Sequence, residues 1–232
     1  MKAVIMAAGK GTRMLPLTKK VPKVLVEVNG KPFLYYVLKH LKEAGFDEFA
    51  IIVGHLKEKF PAFLEKYGFK AELIEQTEQK GTGHAAKLAK DFAGGENFIL
   101  LGGDNLWSAK DLKAIGANDE FCYIAGMKVE NPQKYGVLVE KNGKLARIHE
   151  KPEKYVGDLI NTGLYKLTPE IFEALDKIPL SPRGEYELTD AITMLAEQGK
   201  VYVYALKDYW LDLGCKEDIV KAGNFLKNLG EE

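Results

Sequence analysis

A strand-like apolar run from Lys2 to Met6 breaks into Ala7-Ala8-Gly9-Lys10-Gly11-Thr12-Arg13. Glycines in such a loop let backbone N–H groups approach an anion, and a loop at the C-terminal end of a strand lies where open α/β sheets take ligands. The spacing argues against two familiar phosphate loops. A dinucleotide fingerprint needs a third glycine where Met14 stands, and a Walker loop needs Gly-Lys followed by Ser or Thr, whereas Gly11 follows Gly9-Lys10. Arg13 and Lys23 come next, with Pro16 and Pro22 restricting the backbone between them, so two cations can converge on one anion. Lys10, Lys19, Lys20 and Lys31 read as solvated charges.

A second block, Gln76-Thr77-Glu78-Gln79-Lys80-Gly81-Thr82-Gly83-His84-Ala85, joins a strand to a helix, with glycines suited to close approach of a flat ligand. A glutamine amide offers one acceptor and two donors, so Gln76 can satisfy the imide edge of uracil or thymine while the Gly81 backbone completes the pairing. His84, at a helix start, reads as structural rather than as an acid or base. In the third block, Leu100-Leu101-Gly102-Gly103-Asp104-Asn105, an apolar strand ends in a carboxylate that reads either as a turn cap or as a metal ligand. Trp210-Leu211-Asp212-Leu213-Gly214 offers a second carboxylate. Magnesium takes oxygen ligands, commonly one or two carboxylates plus phosphates and water, so Asp104 and Asp212 suffice in number.

Together, Gly9-x-Gly11-Thr12-Arg13-Met14-x-Pro16-Leu17-Thr18, Pro22-Lys23-x-Leu25 and Gly30-Lys31-Pro32 resemble the signature of the sugar-phosphate nucleotidyltransferases. Further matches follow the order of that family at Tyr135-Gly136-Val137, Glu150-Lys151-Pro152, Asn161-Thr162-Gly163-Leu164-Tyr165 and Gly184-Glu185-Tyr186-x-Leu188-Thr189-Asp190, so the resemblance covers nearly the whole chain. It implies nucleotide binding at Ala7, Ala8, Gly9, Gly11, Thr12, Gln76, Gly81, Thr82 and Gly103. It also implies catalytic roles for Arg13, Lys23, Asp104, Lys151 and Asp212, with Asp104 and Asp212 meeting at a bound Mg²⁺. A sugar pocket is implied at the remaining matches, with Gly136, Glu150, Asn161 and Gly163 against the sugar and Lys151 on its phosphate. The family often has Thr-Pro after Asp212-x-Gly214; Cys215-Lys216 stands there instead, a change expected to bear on local packing more than on the metal.

These residues need a frame to hold them. Lys2 to Met6, Glu48 to Val53, Ala71 to Glu75 and Asn97 to Leu101 read as strands. Between the first two, Phe33, Tyr36, Val37, Leu41 and Ala44 recur at helical spacing after Pro32, and Gly45 stands where a C-terminal cap belongs. That is a βαβ unit and implies parallel strands. Phe121 to Met127, Gly136 to Glu140, Leu145 to His149 and Leu159 to Leu167 read as mixed or antiparallel strands, with a tight turn at Lys141-Asn142-Gly143-Lys144. Pro169 to Leu175, Leu188 to Glu197 and Lys216 to Leu229 read as helices, and Val201 to Leu206 as a strand. The expectation is one α/β domain over residues 1–232, Rossmann-like as in the nucleotidyltransferases, with a mixed, mainly parallel sheet flanked by helices.

Composition narrows the partners. Lys plus Arg and Asp plus Glu both total 33, so no global field favours nucleic acid or an anionic membrane. Cys122 and Cys215 are too few for a disulfide framework and lack zinc spacing, which points to a reducing cytoplasm. No run approaches the roughly 20 apolar residues that span a bilayer. A homo-oligomer is the default for such an enzyme. The sequence ends soon after its closing helix, so neither a C-terminal β-helix nor acetyl transfer is expected.

The implied reaction joins a nucleoside triphosphate, UTP or dTTP by the Gln76 reading, to a sugar-1-phosphate and releases pyrophosphate. Rival readings are a cytidylyl- or guanylyltransferase of the same fold with another phosphate acceptor, or a regulatory subunit that binds without turnover. The second would be marked by loss of a metal or lysine position, and Asp104, Asp212, Lys23, Arg13 and Lys151 are all present.

Overall fold

The computed structural model describes residues 1–117 and 119–231; Glu232, the last residue of the expected domain, lies outside the described residues. The chain begins β1 (Lys2–Ala7), β2 (Glu27–Val28), β3 (Lys31–Pro32), α1 (Phe33–Glu43), β4 (Glu48–Val53), α2 (Phe60–Tyr67), β5 (Glu72–Glu75), α3 (Thr82–Leu88), α4 (Lys90–Ala93) and β6 (Phe98–Gly102). It continues β7 (Asn105–Trp107), α5 (Ala109–Ile115), β8 (Cys122–Lys128), β9 (Gly136–Lys141), β10 (Lys144–Glu150) and β11 (Leu159–Leu167). It closes with α6 (Ile171–Leu175), α7 (Leu188–Glu197), β12 (Val201–Ala205), β13 (Trp210–Asp212) and α8 (Glu217–Asn228).

The expected mixed sheet is present, with strand order β5-β4-β1-β6-β11-β8-β12-β10-β9. Its parallel part is β5, β4, β1 and β6. β11 then runs antiparallel between β6 and β8, β12 lies parallel to β8, and the β9–β10 hairpin adds antiparallel pairs. The hairpin turns at Asn142 and Gly143, whose φ angles of 53° and 77° suit the twist of the flanking strands.

Alternation along each central strand divides its side chains between two cores. Ile5, Ile51 and Leu101, in register across β1, β4 and β6, face α1, α2, α5 and α8. Val4, Ala50 and Leu100 face the other way, onto the alanine-lined faces of α3 and α4 and onto α6 and α7. Each fully buried Ile or Leu here contributes about 1.5–3 kcal/mol. Strands covered on both faces leave one open place for a ligand, the loops at the strand ends. Among the described residues no helix is long and apolar enough to cross a membrane.

A short ribbon escaped the sequence reading. β7 and β13 pair antiparallel, with Asp212 opposite Asn105, Leu211 opposite Leu106 and Trp210 opposite Trp107. The segment leading into β13 is fastened by Asp111 of α5, which is 1% exposed. Its carboxylate accepts from the Tyr204 hydroxyl at 2.9 Å, from the Lys207 and Asp208 backbone N–H groups at 3.0 Å each, and from Ser108 Oγ at 3.1 Å. Replacing Asp111 by Ala orphans two backbone donors and is expected to cost about 2–4 kcal/mol in urea unfolding, summing about 1 kcal/mol or more per buried polar group left unpaired. Asp111→Asn, which keeps one acceptor oxygen, is expected to lose less.

Candidate active site

β1 ends at Ala7, and the chain from Ala8 to Leu25 proceeds through short 3₁₀ turns at Thr12–Met14, Leu17–Lys19 and Lys23–Leu25. Side chains tie this loop down: Thr18 Oγ1 donates to Gly11 O at 2.8 Å, Gln79 Nε2 to Ala8 O at 2.7 Å, and His55 Nε2 to Thr18 O at 2.9 Å. The turn after Pro22 brings Lys23 back beneath the loop, where a Cβ on Gly11 would stand 2.9 Å from Lys23 Cβ. Lys23 is 9% exposed and donates from Nζ to Asp104 Oδ2 at 2.5 Å. Of the lysines read as solvated, Lys31 has its Nζ 5.0 Å from the Tyr35 ring centre.

Asp104 follows β6 at the same sheet edge, and the β7–β13 ribbon delivers Asp212 to it. Leu213 N donates to Asp104 O at 2.9 Å, which clasps the two segments. Trp210 Nε1 donates to Asn105 Oδ1 at 2.8 Å, and Asn105 Nδ2 donates to Asp104 Oδ1 at 3.0 Å. An indole N–H only donates, so the Asn105 amide has one workable orientation, and the Asp104 carboxylate is held from both sides. Burial and the Asp104 carboxylate push the Asp212 carboxyl up, against the opposing pull of Lys23 and Arg13. Two converging carboxylates with hard oxygen donors fit a divalent cation. Arg13 Nη1 lies within 3.5 Å of where a Cβ on Gly214 would be, on the Asp212 side. Cys215 donates from N and Sγ to Asp218 Oδ2 at 2.9 and 3.1 Å at the start of α8, a local packing role.

Gln76 leaves β5 with its backbone N donating to Val53 O at 2.8 Å, and it is 6% exposed. Its Nε2 lies 3.2 Å from Gly81 O and 3.1 Å from His84 Nδ1. The amide donors therefore face the protein, and the carbonyl oxygen is the end left for a ligand. Gly81 has φ 95°, and a Cβ there would stand 2.5 Å from Tyr186 O. The segment after Gly184 buttresses this loop: Tyr186 N donates to Lys80 O and Gly83 N to Tyr186 O, both at 2.8 Å, and Leu188 N donates to Thr82 Oγ1 at 3.1 Å. The Gly184 to Asp190 block, expected against the sugar, thus packs on the loop of Gln76 and Gly81.

A cavity of about 460 Å³ joins these parts. Of the residues expected at the nucleotide, Ala7, Ala8, Gly9, Gly11, Thr12, Gln76, Gly81 and Thr82 line it, together with Arg13, Lys23 and Asp104. Gly103 is not in the wall; it donates from N to Met6 O at 2.9 Å, and a Cβ on it would press on Ile5 and Val24. Met6, Val24, Gln79, Ala85, Gly102 and Glu185 also line the cavity without having been singled out. Gln79 and Glu185 stood inside quoted motifs, and only the folding of one loop onto the other puts both in one wall.

The residues expected at the sugar gather further along the same edge. β9 and β10 place Gly136 opposite Glu150, and Ile160 of β11 pairs with Val137. A Cβ on Gly136 would lie 3.0 Å from Glu150 Oε2 and 3.9 Å from Asn161 Cβ. A register shift in β11 between Asn161 and Tyr165 re-aims Asn161, with Gly163 at φ 79°. Asn161 Oδ1 accepts from Gly163 N at 2.9 Å and its Nδ2 donates to the Tyr165 hydroxyl at 2.8 Å. Burial pushes the Tyr165 hydroxyl up to about 12, so it stays protonated at neutral pH. Lys151 is exposed, outside the cavity wall, with N donating to Tyr135 O at 3.0 Å and an uncommon φ of 43°.

An α/β sheet with a glycine loop, a buried lysine and paired carboxylates at its strand ends defines a phosphate- and metal-handling nucleotide fold. A sequence model of the Nucleotidyl transferase family matches residues 2–228, and the chain belongs to that family. A bifunctional sugar-1-phosphate nucleotidylyltransferase/acetyltransferase of Sulfurisphaera tokodaii is 38% identical over 240 residues, covering 99% of this chain and 58% of its own. The chain spans less than two thirds of the length of curated relatives that it matches. Among solved structures, a UDP-glucose pyrophosphorylase complexed with UDP-glucose superposes with a TM-score of 0.87 at 27% identity, covering 98% of both chains. A putative glucose-1-phosphate thymidylyltransferase from Bacillus anthracis gives 0.88 at 26% identity, covering 98% of this chain and 96% of the other.

Gly81→Ala is expected to lower stability by at least about 1 kcal/mol from the left-handed backbone alone. The clash with Tyr186 O adds to this, and thermal unfolding of the purified variant measures it.

Proposed function

We propose that this chain is a Mg²⁺-dependent sugar-1-phosphate nucleotidyltransferase that uses UTP or dTTP and a hexose-1-phosphate, releasing pyrophosphate and forming a nucleoside-diphosphate sugar. The observation that carries this reading is a single cavity walled by Arg13, Lys23, Asp104, Gln76 and Gly81, with the Asp212 carboxylate, itself outside the cavity wall, close enough to Asp104, Lys23 and Arg13 to feel their charges. Family membership and the names of the relatives support it.

An oxygen of the sugar phosphate attacks the α-phosphorus in line, the bond to the β-phosphate oxygen breaks, and pyrophosphate leaves with the electron pair. The attacking phosphate is already anionic, so no general base is needed; positioning and charge compensation supply the acceleration. Backbone N–H groups from Ala8 to Thr12 and the Arg13 guanidinium hold the triphosphate, and Lys23 meets charge at the reacting phosphate. Asp104 and Asp212 would hold Mg²⁺, which supplies charge neutralisation for phosphate oxygens when bound. The Gln76 carbonyl oxygen accepts the imide N–H of the base, and the Gly81 backbone completes the pairing. Glu150, Asn161, Gly136 and Gly163 receive the sugar, with Lys151 on its phosphate.

Pyrophosphate release with Mg²⁺ across a matrix of nucleoside triphosphates and sugar-1-phosphates tests the reading. Turnover with UTP or dTTP and a hexose-1-phosphate is expected; nucleotide binding with silence across the matrix would establish a non-catalytic subunit instead. Asp104→Ala is expected to abolish turnover at limiting Mg²⁺. Lys23→Ala is expected to reduce kcat by about 10²–10³-fold, the scale for losing one transition-state charge contact, whereas Lys151→Ala mainly raises the sugar-phosphate KM. Steady-state kinetics in both substrates separates the two.

A further inference from the structure

The amide of Gln76 faces the nucleotide cavity, and which of its ends a base meets is decided by two neighbours. Gly81 O, 3.2 Å from Nε2, is an acceptor only, so the amide end beside it is the amino group. His84 Nδ1 lies 3.1 Å from the same nitrogen and must then accept, which puts the ring hydrogen on Nε2. Both amide hydrogens are thereby consumed inside the protein. Among the described residues no group donates to Oε1, and no buried polar side-chain atom lacks a partner, so Oε1 is open to the cavity.

A uracil or thymine carries a hydrogen on N3, and a carbonyl oxygen receives it. Cytosine carries a lone pair there, which would meet the lone pairs of Oε1. Gly81 alone satisfies one amide hydrogen and leaves the second free to seek a partner in the cavity; His84 removes that freedom. We propose that His84 is a specificity-determining positioning residue: by accepting the second amide hydrogen of Gln76 it holds the carbonyl oxygen toward the base and selects imide bases over cytosine. This rests on the reading above, that the cavity takes a pyrimidine nucleotide with its base at Gln76.

The test uses the full chain with Mg²⁺ and measures the dissociation constants of UTP, dTTP and CTP by calorimetry for wild type, His84→Ala and His84→Asn. Wild type is expected to favour UTP and dTTP. His84→Ala is expected to lower the UTP-to-CTP preference about five- to tenfold, the scale of one hydrogen bond, and His84→Asn, whose side-chain oxygen can accept, to restore most of it. An equal loss for all three nucleotides, with the ratio unchanged, would mean a merely structural His84 and overturn the proposal. No preference for UTP or dTTP in wild type would instead overturn the base reading at Gln76. The wild-type protein supplies a second measurement that no folding defect can obscure: nitrogen-15 NMR of the imidazole, with the His84 signals assigned against His84→Asn. An unprotonated Nδ1 and protonated Nε2 are expected with UTP bound, and a protonated Nδ1 would overturn the proposal.

Discussion

Two carboxylates held side by side repel, and burial sharpens the repulsion because less water screens it. Asp104 and Asp212 stand in that relation: the Asp212 carboxyl is pushed up by burial and by its neighbour, with Lys23 and Arg13 pulling the other way. A chain free to relax would separate them. It is not free, because Asp104 sits in the turn between β6 and β7, Asp212 terminates β13, and the β7–β13 ladder and the Leu213 N–H to Asp104 carbonyl bond fix the spacing. Repulsion sustained by covalent and hydrogen-bonded geometry is what makes the place attractive to a cation.

Holding that geometry is the business of structure far from the charges. The ribbon is anchored through the buried carboxylate of Asp111, and Trp107 of β7 is almost wholly enclosed. Beneath it lies a sheet whose central strands are buried on both faces, so neither core leaves room for a ligand. The chemistry is pushed to the strand ends. There the order β5, β4, β1, β6, β11 becomes a sequence of tasks along one edge: Gln76 after β5, the glycine loop after β1, Asp104 after β6, and Asn161 on β11.

Along this edge the side chains are already committed to one another. Lys23 rests on Asp104, the Asn105 amide is oriented by an indole N–H, Gln76 gives its hydrogens to Gly81 and His84, and Asn161 is held by Gly163 and Tyr165. For Gln76 this leaves the carbonyl oxygen as the end without a protein partner. Pre-orientation of this kind reduces what ordering a ligand must offset on binding.

The sequence by itself determined the elements and the identities of the reactive groups. Period-two and helical apolar patterns are local, so strands such as Glu48–Val53 and Leu159–Leu167 and the helix Leu188–Glu197 could be read to the residue. The glycine loop, Lys23 and Gln76 stood out by type and spacing, whereas both aspartates were singled out by the resemblance to the nucleotidyltransferases. What only the tertiary structure decided depends on contacts between distant segments: the ribbon that joins Asp104 to Asp212 across 108 residues of chain, about half of its length. The same holds for the docking of residues 181–188 on the loop of Gln76, which sends Glu185 to the wall of the cavity, and for which end of the Gln76 amide is left without a protein partner. Three-residue strands carry too little periodicity to be read, and the orientation of an amide is set by its neighbours in space, not by those in sequence.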